Sequence, residues 1–447
     1  MALARRPRDR RSRSRRRLPV LATLLGAVVA LMVSACSDGH IDVRSVAGAG
    51  WSSYGGNAAN SNFAYPQVPD DLALSWTRPT DGTVIAPVTI SNAGNVGVTS
   101  NASGCDLLVL DQRNGRKNFC KNMRDGVSSN AMLTDQYDQP YIGEEGMFLA
   151  FNAGGAIRWR MPSIGVPRSA KFADPGIVLM VTSQGQILLI NTQTNTFAAP
   201  EVRLNPTHDG SDPLAGFTDC TANGPQCTIP TPPAVDVEHE RFFLNVWPAG
   251  AAASEVRGYD YAENDGTREI RELWKAQIPG GVIGPATVSA DGKTVYAFSR
   301  AGQIVALDAV TGKTRWTYDN GGYGFATMSV SPDGLIMPTG LPGSPLTLLR
   351  DAGDRAEKVW QRDDLASASL STITNSGTAW TVVGDKGKQT LSLTEVATAD
   401  GKTLRTIAMP NSSGFTTGIA VSPSGQIATA TNAGEVYFFD SKSNIAE

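Results

Sequence analysis

Histidine and cysteine are scarce in this sequence, which holds three and five of them among 447 residues. No cysteine pair has the Cys-x-x-Cys spacing of a zinc or thiol redox site. His208 lies beside Asp209 in a polar stretch, and His239 lies between Glu238 and Glu240, without a fixed ligand spacing. Solvated loop acids explain these groups, so the sequence predicts no metal, no cofactor and no catalytic residue among them.

Excess positive charge is confined to the N-terminus. Residues 1–35 hold nine of the 39 Lys and Arg side chains and one of the 42 acidic side chains, so the remainder has a formal net charge of −11 (30 minus 41). No basic stripe interleaved with aromatic residues follows. Because an acidic surface repels phosphates, nucleic acid is excluded as the expected partner.

An apolar run from Leu18 through Val33 follows the arginine-rich start and is short for a membrane span. It ends in Val33-Ser34-Ala35-Cys36, a pattern that resembles a bacterial lipoprotein signal. The sequence therefore predicts a signal peptide over residues 1–35, removed on export, and a lipidated Cys36, with palmitate as an expected acyl group. We therefore expect the folded domain to lie outside the cytoplasm, in the cell envelope, anchored to a membrane through the lipid.

Two alternatives concern this segment. An ordinary secretory signal would leave Cys36 as a plain thiol. The stretch Ser14-Arg15-Arg16-Arg17-Leu18 also resembles a twin-arginine export signal, a match that an arginine-rich segment gives by chance. Residues 36–50 lack hydrophobic periodicity, and we expect them to form a flexible lipidated tether with a reach of roughly 20 Å.

The four remaining cysteines predict two disulfides. Cys105 and Cys120 flank the turn Asp111–Gly115, and alignment of this turn with Asp308–Gly312 places them nearly opposite each other across one hairpin. A redox or metal role is the alternative, which their spacing disfavours. A bridge in an exported chain is expected to stiffen this hairpin.

The second pair, Cys220 and Cys227, brackets a polar turn within an insertion of roughly thirty residues between two repeats. A disulfide here would close a small loop. Because a tied loop that leaves a regular stack of strands serves recognition more often than packing, Pro200–Pro230 is the favoured contact surface.

A tryptophan-type position recurs along the chain, most often after a little over forty residues. The clearest copy, Gly302–Trp316, contains a strand, a tight turn from Asp308 to Gly312 and a second strand. A period of this size, built from short strands, is typical of a four-stranded β-propeller blade. Eight such positions predict eight blades, with packing between blades as their role: Trp76, Phe119, Trp159, Phe197, Trp274, Trp316, Trp360 and Leu404.

The last copy, Gly434–Asp440, precedes the chain end at Glu447 without a further tryptophan strand. The segment Leu72–Thr77 is an outer strand without a partner of its own. Docking of this segment on the C-terminal blade would close the ring and remove an exposed sheet edge. The predicted fold is therefore an all-β, eight-bladed propeller with four-stranded antiparallel blades over residues 51–447.

Small residues dominate the predicted innermost strands, as in Pro233-Ala234-Val235 and Ser367-Ala368-Ser369, because blades converge at the axis. One of these strands departs from the pattern, since Arg168 precedes Ser169 and Ala170. Turn signals such as Ser331-Pro332-Asp333-Gly334 are expected between the second and third strands of their blades.

The copy at Gly302–Trp316 resembles the repeat of pyrroloquinoline-quinone-like propellers, a superfamily of quinoprotein dehydrogenases and envelope lipoproteins such as the BamB branch. The resemblance covers residues 51–440; Asn152 and Asn191 replace the turn aspartate, and the seventh copy lacks both that aspartate and the tryptophan. Lipidation, tether, blade number and strand closure point to the BamB-like branch. The dehydrogenase branch implies a vicinal cysteine disulfide and calcium carboxylates, and no two cysteines are adjacent here.

This resemblance implies a non-enzymatic, lipid-anchored scaffold that binds envelope or membrane proteins in assembly or transport. The alternative is a quinoprotein-type oxidoreductase or a small-ligand receptor that uses the central funnel.

Overall fold

A computed structural model describes residues 43–264, 267–322, 327–339, 344–384 and 390–445. Two strands precede the repeats, β1 (Phe63–Ala64) and β2 (Leu72–Pro79). Within the described residues, the strands then form eight antiparallel blades around a common axis, as the sequence predicted. No helix in this described part of the chain has the length and apolar character to cross a membrane.

The first four blades take their strands from consecutive stretches of chain, given from the innermost strand outward. Blade 1 contains β3 (Thr89–Ile90), β4 (Val96–Thr99), β5 (Leu107–Leu110) and β6 (Lys117–Lys121). Blade 2 contains β7 (Leu133–Thr134), β8 (Pro140–Glu144), β9 (Met147–Phe151) and β10 (Ile157–Pro162). Blade 3 contains β11 (Pro167–Asp174), β12 (Ile177–Thr182) and β13 (Gln186–Asn191). Its outer edge is formed by two short strands that both pair with β13, namely β14 (Thr196–Phe197) and β15 (Val202–Arg203). Blade 4 contains β16 (Ala234–Asp236), β17 (Arg241–Val246), β18 (Glu255–Asp260) and β21 (Arg271–Gln277), with the added hairpin β19 (Glu263–Asn264) and β20 (Thr267–Arg268).

The other four blades repeat this arrangement. Blade 5 contains β22 (Val282–Val288), β23 (Thr294–Ser299), β24 (Gln303–Asp308) and β25 (Thr314–Asp319). Blade 6 contains β26 (Met328–Val330), β27 (Leu335–Pro338), β28 (Pro345–Asp351) and β29 (Ala356–Ala366). Blade 7 contains β30 (Thr372–Thr374), β31 (Thr378–Gly384), β32 (Leu391–Ala397) and β33 (Thr403–Met409). Blade 8 contains β34 (Thr416–Val421), β35 (Ile427–Thr431), β36 (Glu435–Ser441) and β2, while α1 (Thr218–Ala222) and two 3₁₀ turns (Val127–Ser129 and Lys442–Asn444) lie between strands.

Ring closure occurs as predicted. Strand β2 pairs antiparallel with β36 over its whole length, from Leu72 opposite Ser441 to Pro79 opposite Glu435. The indole of Trp76 stacks on Phe438 with ring centroids 5.0 Å apart. The N-terminal strand therefore supplies the outer edge of the C-terminal blade, and the ring has no open seam there.

The middle strands form the core because each is covered by blades on both sides. All four residues of β5 are buried, as are all six residues of β17. The outermost strands alternate in exposure instead, with Trp274 and Ala276 of β21 buried between exposed neighbours. This change from continuous to alternating burial follows from a blade that is packed on both faces inside and reaches solvent outside.

Most tryptophan-type residues connect neighbouring blades. The indole nitrogen donates to the turn of the next blade at 2.8–3.0 Å in five cases: Trp76 to Gln112 O, Trp159 to Thr192 O, Trp274 to Ala309 O, Trp316 to Asp351 Oδ1 and Trp360 to Thr398 O. Phe197 and Leu404 are about half exposed, at 50% and 47%. The packing role is confirmed for the tryptophans, and these two substitutes contribute less.

Two expectations about the blades are wrong in detail. The turn at Ser331–Gly334 joins the first and second strands of its blade, not the second and third, and the turns at 289–292 and 422–425 do the same. Some innermost strands are also shorter than expected, since Ser128 and Ser129 belong to a 3₁₀ turn. The innermost segment Phe325-Ala326 lies outside the described residues.

The folded body begins earlier than predicted. Its compact unit starts at Arg44, within the stretch expected to be a flexible tether up to Gly50. Ala47 forms a β-bridge with Asp135, and the amide of Gly176 donates to Ser45 O at 2.7 Å. Residues 44–50 are therefore fixed on blades 2 and 3, and residues 36–42 lie outside the described part.

Residues 51–64, here called the inner segment, run around the axis and bind the innermost strands one after another. Its carbonyls accept backbone amide hydrogen bonds of 2.8–3.0 Å from five blades: Trp51 from Ile90, Ser52 from Thr134, Ala58 from Val235, Ala59 from Val288 and Ser61 from Val330. Strand β1 then pairs in parallel with β30 of blade 7. Through its backbone, the inner segment thus joins six blades before the chain reaches its closing strand β2.

Candidate functional site

A cavity of about 320 Å³ lies on the propeller axis, at the end where the innermost strands begin. Each of the eight blades supplies a lining residue at or near the start of its innermost strand: Pro87, Ser129, Arg168, Pro232, Gly284, Thr327, Leu370 and Thr417. Small residues and prolines leave this space because bulkier side chains from all eight blades would fill it. The axis is therefore the candidate binding site of the fold.

The inner segment contributes to the cavity through Tyr54. Burial raises the pKa of the Tyr54 hydroxyl well above its usual value, and the nearby positive charge of Arg168 opposes this rise. The phenol is therefore neutral at physiological pH. Because the inner segment binds the far ends of the innermost strands, its tyrosine lies toward the inner end of the cavity.

A buried lysine holds the inner segment beside this tyrosine. Lys171 of β11 is fully buried, and its Nζ donates to Ser53 Oγ at 3.1 Å, to Asn57 O at 2.7 Å and to Tyr54 O. Burial lowers the pKa of Lys171 well below its usual value. Three acceptors match the three donors of an ammonium group, so Lys171 ties the inner segment to blade 3.

Among the described residues that line the cavity, Arg168 is the single one with a charged side chain. Its side chain is 7% exposed, and Nη1 donates to Ser129 Oγ at 2.9 Å. Its Nε has no hydrogen-bond partner among the residues that the structure describes. Burial lowers the pKa of Arg168 to about 10, so the guanidinium still carries its charge at neutral pH.

Three threonines of the lining also have unused hydrogen-bonding capacity. The Oγ1 atoms of Thr231, Thr327 and Thr417 are buried and have no partner among the described residues. Buried polar groups without a partner are uncommon in proteins, since each loses its hydrogen bonds to water. The cavity therefore presents one cation and several hydroxyls to whatever fills it.

The predicted contact insertion, 200–230, lies at the rim of this cavity. Thr221, Asn223 and Pro230 line it directly. The ring of Phe217, just before α1, lies 5.8 Å from the guanidinium carbon of Arg168. The sequence predicted an insertion and a central funnel as separate features, and the structure brings them together.

Several contacts fix the insertion on the blades. Cys220 in α1 is bonded to Cys227, with their Cα atoms 5.1 Å apart. Asn223, in the left-handed conformation that ends α1, accepts a hydrogen bond from Asn245 Nδ2 at 3.0 Å. Arg300 of blade 5 donates to the carbonyls of Ala222 and Asn223. These partners hold the rim in one arrangement.

The other predicted site residues lie elsewhere. Cys36 lies outside the described residues. Cys105 and Cys120 are bonded across blade 1 with Cα atoms 5.4 Å apart, and Cys120 of β6 stands opposite Leu108 of β5. Neither of these two cysteines contributes to the cavity lining.

The acidic and histidine groups considered for a metal site have structural roles. Asp209 accepts a hydrogen bond from the amide of Ser211 at 2.9 Å, and His239 Nδ1 lies 3.0 Å from Asp236. Asp236 also binds Arg241. In the described ranges, no group of three or more His, Cys, Asp or Glu side chains is arranged to hold a metal ion.

The sequence reasoning missed Tyr54, Lys171 and Arg168 as residues of the axis. Arg168 gave a signal, because it stands among small residues in a strand predicted to face the axis. Tyr54 and Lys171 gave none, since only the path of the inner segment brings them together.

Comparison with known proteins gives similarities in sequence and in structure. A family profile described as "Outer membrane protein assembly factor BamB" matches residues 254–444. "Protein Rv3035" of Mycobacterium tuberculosis is 30% identical over 409 residues, which covers 90% of this chain and 99% of that protein. The crystal structure of BamB from Moraxella catarrhalis has a TM-score of 0.56 at 15% identity and covers 83% of this chain and 99% of that one.

A quinohemoprotein alcohol dehydrogenase, ADHIIG from Pseudomonas putida HK5, is also similar in structure. Its TM-score is 0.55 at 14% identity, with 89% of this chain and 81% of that chain covered. At these identities, both solved structures show that the fold is shared.

Proposed function

Because this chain belongs to the pyrroloquinoline-quinone-like β-propeller superfamily, in its BamB-like branch, we propose that it is a lipid-anchored scaffold of the cell envelope. It binds other envelope proteins in assembly or transport. The profile described as an outer membrane protein assembly factor supports this role. The observation that carries the proposal is the rim formed by insertion 200–230.

This rim combines a fixed base with an exposed outer surface. Cys220, Cys227 and Asn223 are buried at the base. Thr221, Ala222, Pro225 and Gln226 are exposed above them. A surface that is already ordered loses little conformational entropy on binding, which favours association with a protein partner.

We propose that this protein binds other molecules and does not catalyse a reaction. The cavity lining contains Arg168 and Tyr54 as its ionisable residues and no carboxylate or histidine among the residues described. General acid–base chemistry at neutral pH uses such groups, with pKa values near the working pH. The composition of the lining therefore supports a binding site.

The partner surface is tested by retention of envelope proteins on the full chain. Thr221→Arg combined with Gln226→Arg places two charged side chains on the rim, where both native residues are exposed. We expect this double variant to lose partners that the wild-type protein retains after cross-linking in intact cells. Val310→Arg, at a position 64% exposed on the turn of blade 5, is the matched control and should retain them. Equal retention by the rim variant and the control would count against the rim as the contact surface.

The anchor is tested separately by Cys36→Ser. Without the thiol that receives the lipid, the chain should leave the membrane fraction and appear in the soluble exported fraction. Metabolic labelling with a palmitate analogue should mark the wild-type chain and not the variant. Membrane retention and labelling that survive this substitution would contradict lipidation at Cys36.

A further inference from the structure

We propose that the axial cavity binds a monocarboxylate with an apolar carbon body, whose carboxylate is bound by Arg168. This inference goes beyond the scaffold role and holds or fails independently of it. It depends on three features of the cavity in the described structure: an arginine without an acidic partner, threonine hydroxyls without a hydrogen-bond partner, and apolar walls.

The first feature is the contrast between Arg168 and three other arginines of this acidic chain, of which Arg241 is buried and Arg257 and Arg405 are partly buried. Each of these three binds a carboxylate at 2.7 Å: Arg241 binds Asp236, Arg257 binds Glu255, and Arg405 binds Glu395. Arg168 is buried at least as deeply, at 7% exposure, yet its neighbours in the described structure are the Ser129 hydroxyl, the ring of Phe217 and the neutral Tyr54, and not a carboxylate. A buried charge without a counter-ion is unfavourable, so the position is explained by a ligand that supplies the missing anion.

The second feature is the set of threonine hydroxyls. Thr231 directly follows the insertion, whereas Thr327 and Thr417 come from blades 6 and 8. Their Oγ1 atoms lack partners in the described chain. Each hydroxyl can donate one hydrogen bond to an oxygen acceptor. The oxygens of a bound carboxylate can therefore accept hydrogen bonds from these threonines.

The third feature, the apolar walls, indicates the chemistry and size of the rest of the ligand. Ile85, Pro87, Pro285 and Leu370 contribute apolar surface to the cavity. A volume of about 320 Å³ lies at the lower end of the range for small-molecule sites. The carbon body that fits is therefore short and apolar.

The charge of the site selects the anion. One guanidinium neutralises one negative charge, and its planar donors match the two oxygens of a carboxylate. A phosphate dianion would retain an uncompensated charge in a site where no second cation lines the described wall. We therefore infer a monocarboxylate in preference to a phosphate.

Such a carboxylate has two sources, a free small acid or the C-terminus of a polypeptide. Calorimetric titration of the full chain in detergent distinguishes them with four probes: hexanoate, hexanamide, and a short apolar peptide with a free or an amidated C-terminus. We expect binding of one or both carboxylates and at least tenfold weaker binding of the matching amide. Hexanoate alone would identify a free acid as the source, and the free peptide alone would identify a polypeptide end.

The arginine is tested by Arg168→Met and Arg168→Lys. The methionine variant should bind the carboxylate at least tenfold more weakly, whereas the lysine variant should retain part of the affinity because it keeps a charge without the planar donors. Arg315→Gln, on the outer strand of blade 5, is the control and should bind as the wild type does. Arg168→Met should also unfold at the same or a higher temperature than the wild type, since it removes a buried charge without a counter-ion.

Three results would overturn the proposal. These are equal binding of carboxylate and amide, wild-type affinity in Arg168→Met, and no binding of either carboxylate up to about 10 mM. Tighter binding of inorganic phosphate than of hexanoate would contradict the inferred class of anion. None of these results depends on whether the rim retains a protein partner.

Discussion

The indole of Trp274 in blade 4 lies flat against Gly312 of blade 5, where a Cβ atom would come within 2.5 Å of the ring. Its Nε1 donates to Ala309 O at 3.0 Å in the same turn. Related contacts recur between Trp76 and Gly115 and between Trp360 and Gly401. The tryptophan and the glycine of the repeat are therefore two halves of one contact between neighbouring blades.

Gly312→Ala is expected to destabilise the propeller for two reasons. The backbone at Gly312 has φ +69°, and the added methyl would clash with Trp274. Gly321 has φ +70°, and no atom of the described residues lies within 4 Å of the position of a Cβ, so Gly321→Ala isolates the backbone contribution of about 1 kcal/mol. Chemical denaturation should show an additional loss of about 1–3 kcal/mol for Gly312→Ala. Equal losses in the two variants would contradict the steric part of this account.

Trp76→Ala tests the closure of the ring. Trp76 is 7% exposed, stacks on Phe438 and donates to Gln112 O at 2.8 Å, so it joins β2 to blade 8 and to blade 1. We expect a loss of about 3–5 kcal/mol in the free energy of unfolding. Leu404→Ala, at the equivalent position of blade 7 with 47% exposure, should lose less than about 1 kcal/mol. A small loss for Trp76→Ala would show that closure depends on backbone pairing alone.

Lys171→Met tests the attachment of the inner segment. Loss of the ammonium leaves the carbonyls of Tyr54 and Asn57 without this partner, and we expect a loss of about 2–4 kcal/mol. Lys275→Met, at a half-exposed lysine of blade 4, is the control.

A local readout accompanies this measurement. The amides of Ile90 and Thr134 donate to Trp51 O and Ser52 O, so their hydrogen exchange should accelerate in Lys171→Met. Unchanged exchange at both amides would mean that the inner segment stays attached without the lysine.

The raised pKa of the buried Tyr141 predicts that the free energy of unfolding decreases at alkaline pH. Burial raises the pKa of its hydroxyl to about 12, and the adjacent charge of Asp135 acts in the same direction. In the unfolded chain the phenol loses its proton near pH 10, so between about pH 10 and 12 the unfolded state binds fewer protons. The contribution of Tyr141 to the free energy of unfolding is therefore complete below pH 10 and is lost as the pH rises through about 12.

Tyr141→Phe should therefore flatten the decline of unfolding free energy with pH in that interval. The measurement is a series of denaturation curves from pH 8 to about pH 11 for wild type and variant. Tyr65→Phe, at a side chain 64% exposed, provides the control. Parallel declines for wild type and Tyr141→Phe would show that Tyr141 does not contribute.

Much of the architecture could be predicted because its signals are local. The turn Asp308–Gly312 and the strands on either side of it lie within one stretch of chain, and the same pattern repeats in other blades. The closing strand could be predicted because the last repeat has no outer strand after β36 in the described chain, whereas β2 is an outer strand without a blade of its own. The position of the turn at Ser331–Gly334 could not, since the turn residues alone do not tell which pair of strands they join.

By itself, the sequence determined the blade, the number of blades and the closure of the ring, because hydrophobic alternation and turn residues act between near neighbours. Tertiary structure decided what occupies the axis. Lys171 and Ser53 are separated by 118 positions, and Arg168 meets Phe217 of the insertion only where the ring brings the two together. Such contacts depend on the convergence of eight blades on one line, which no single repeat encodes.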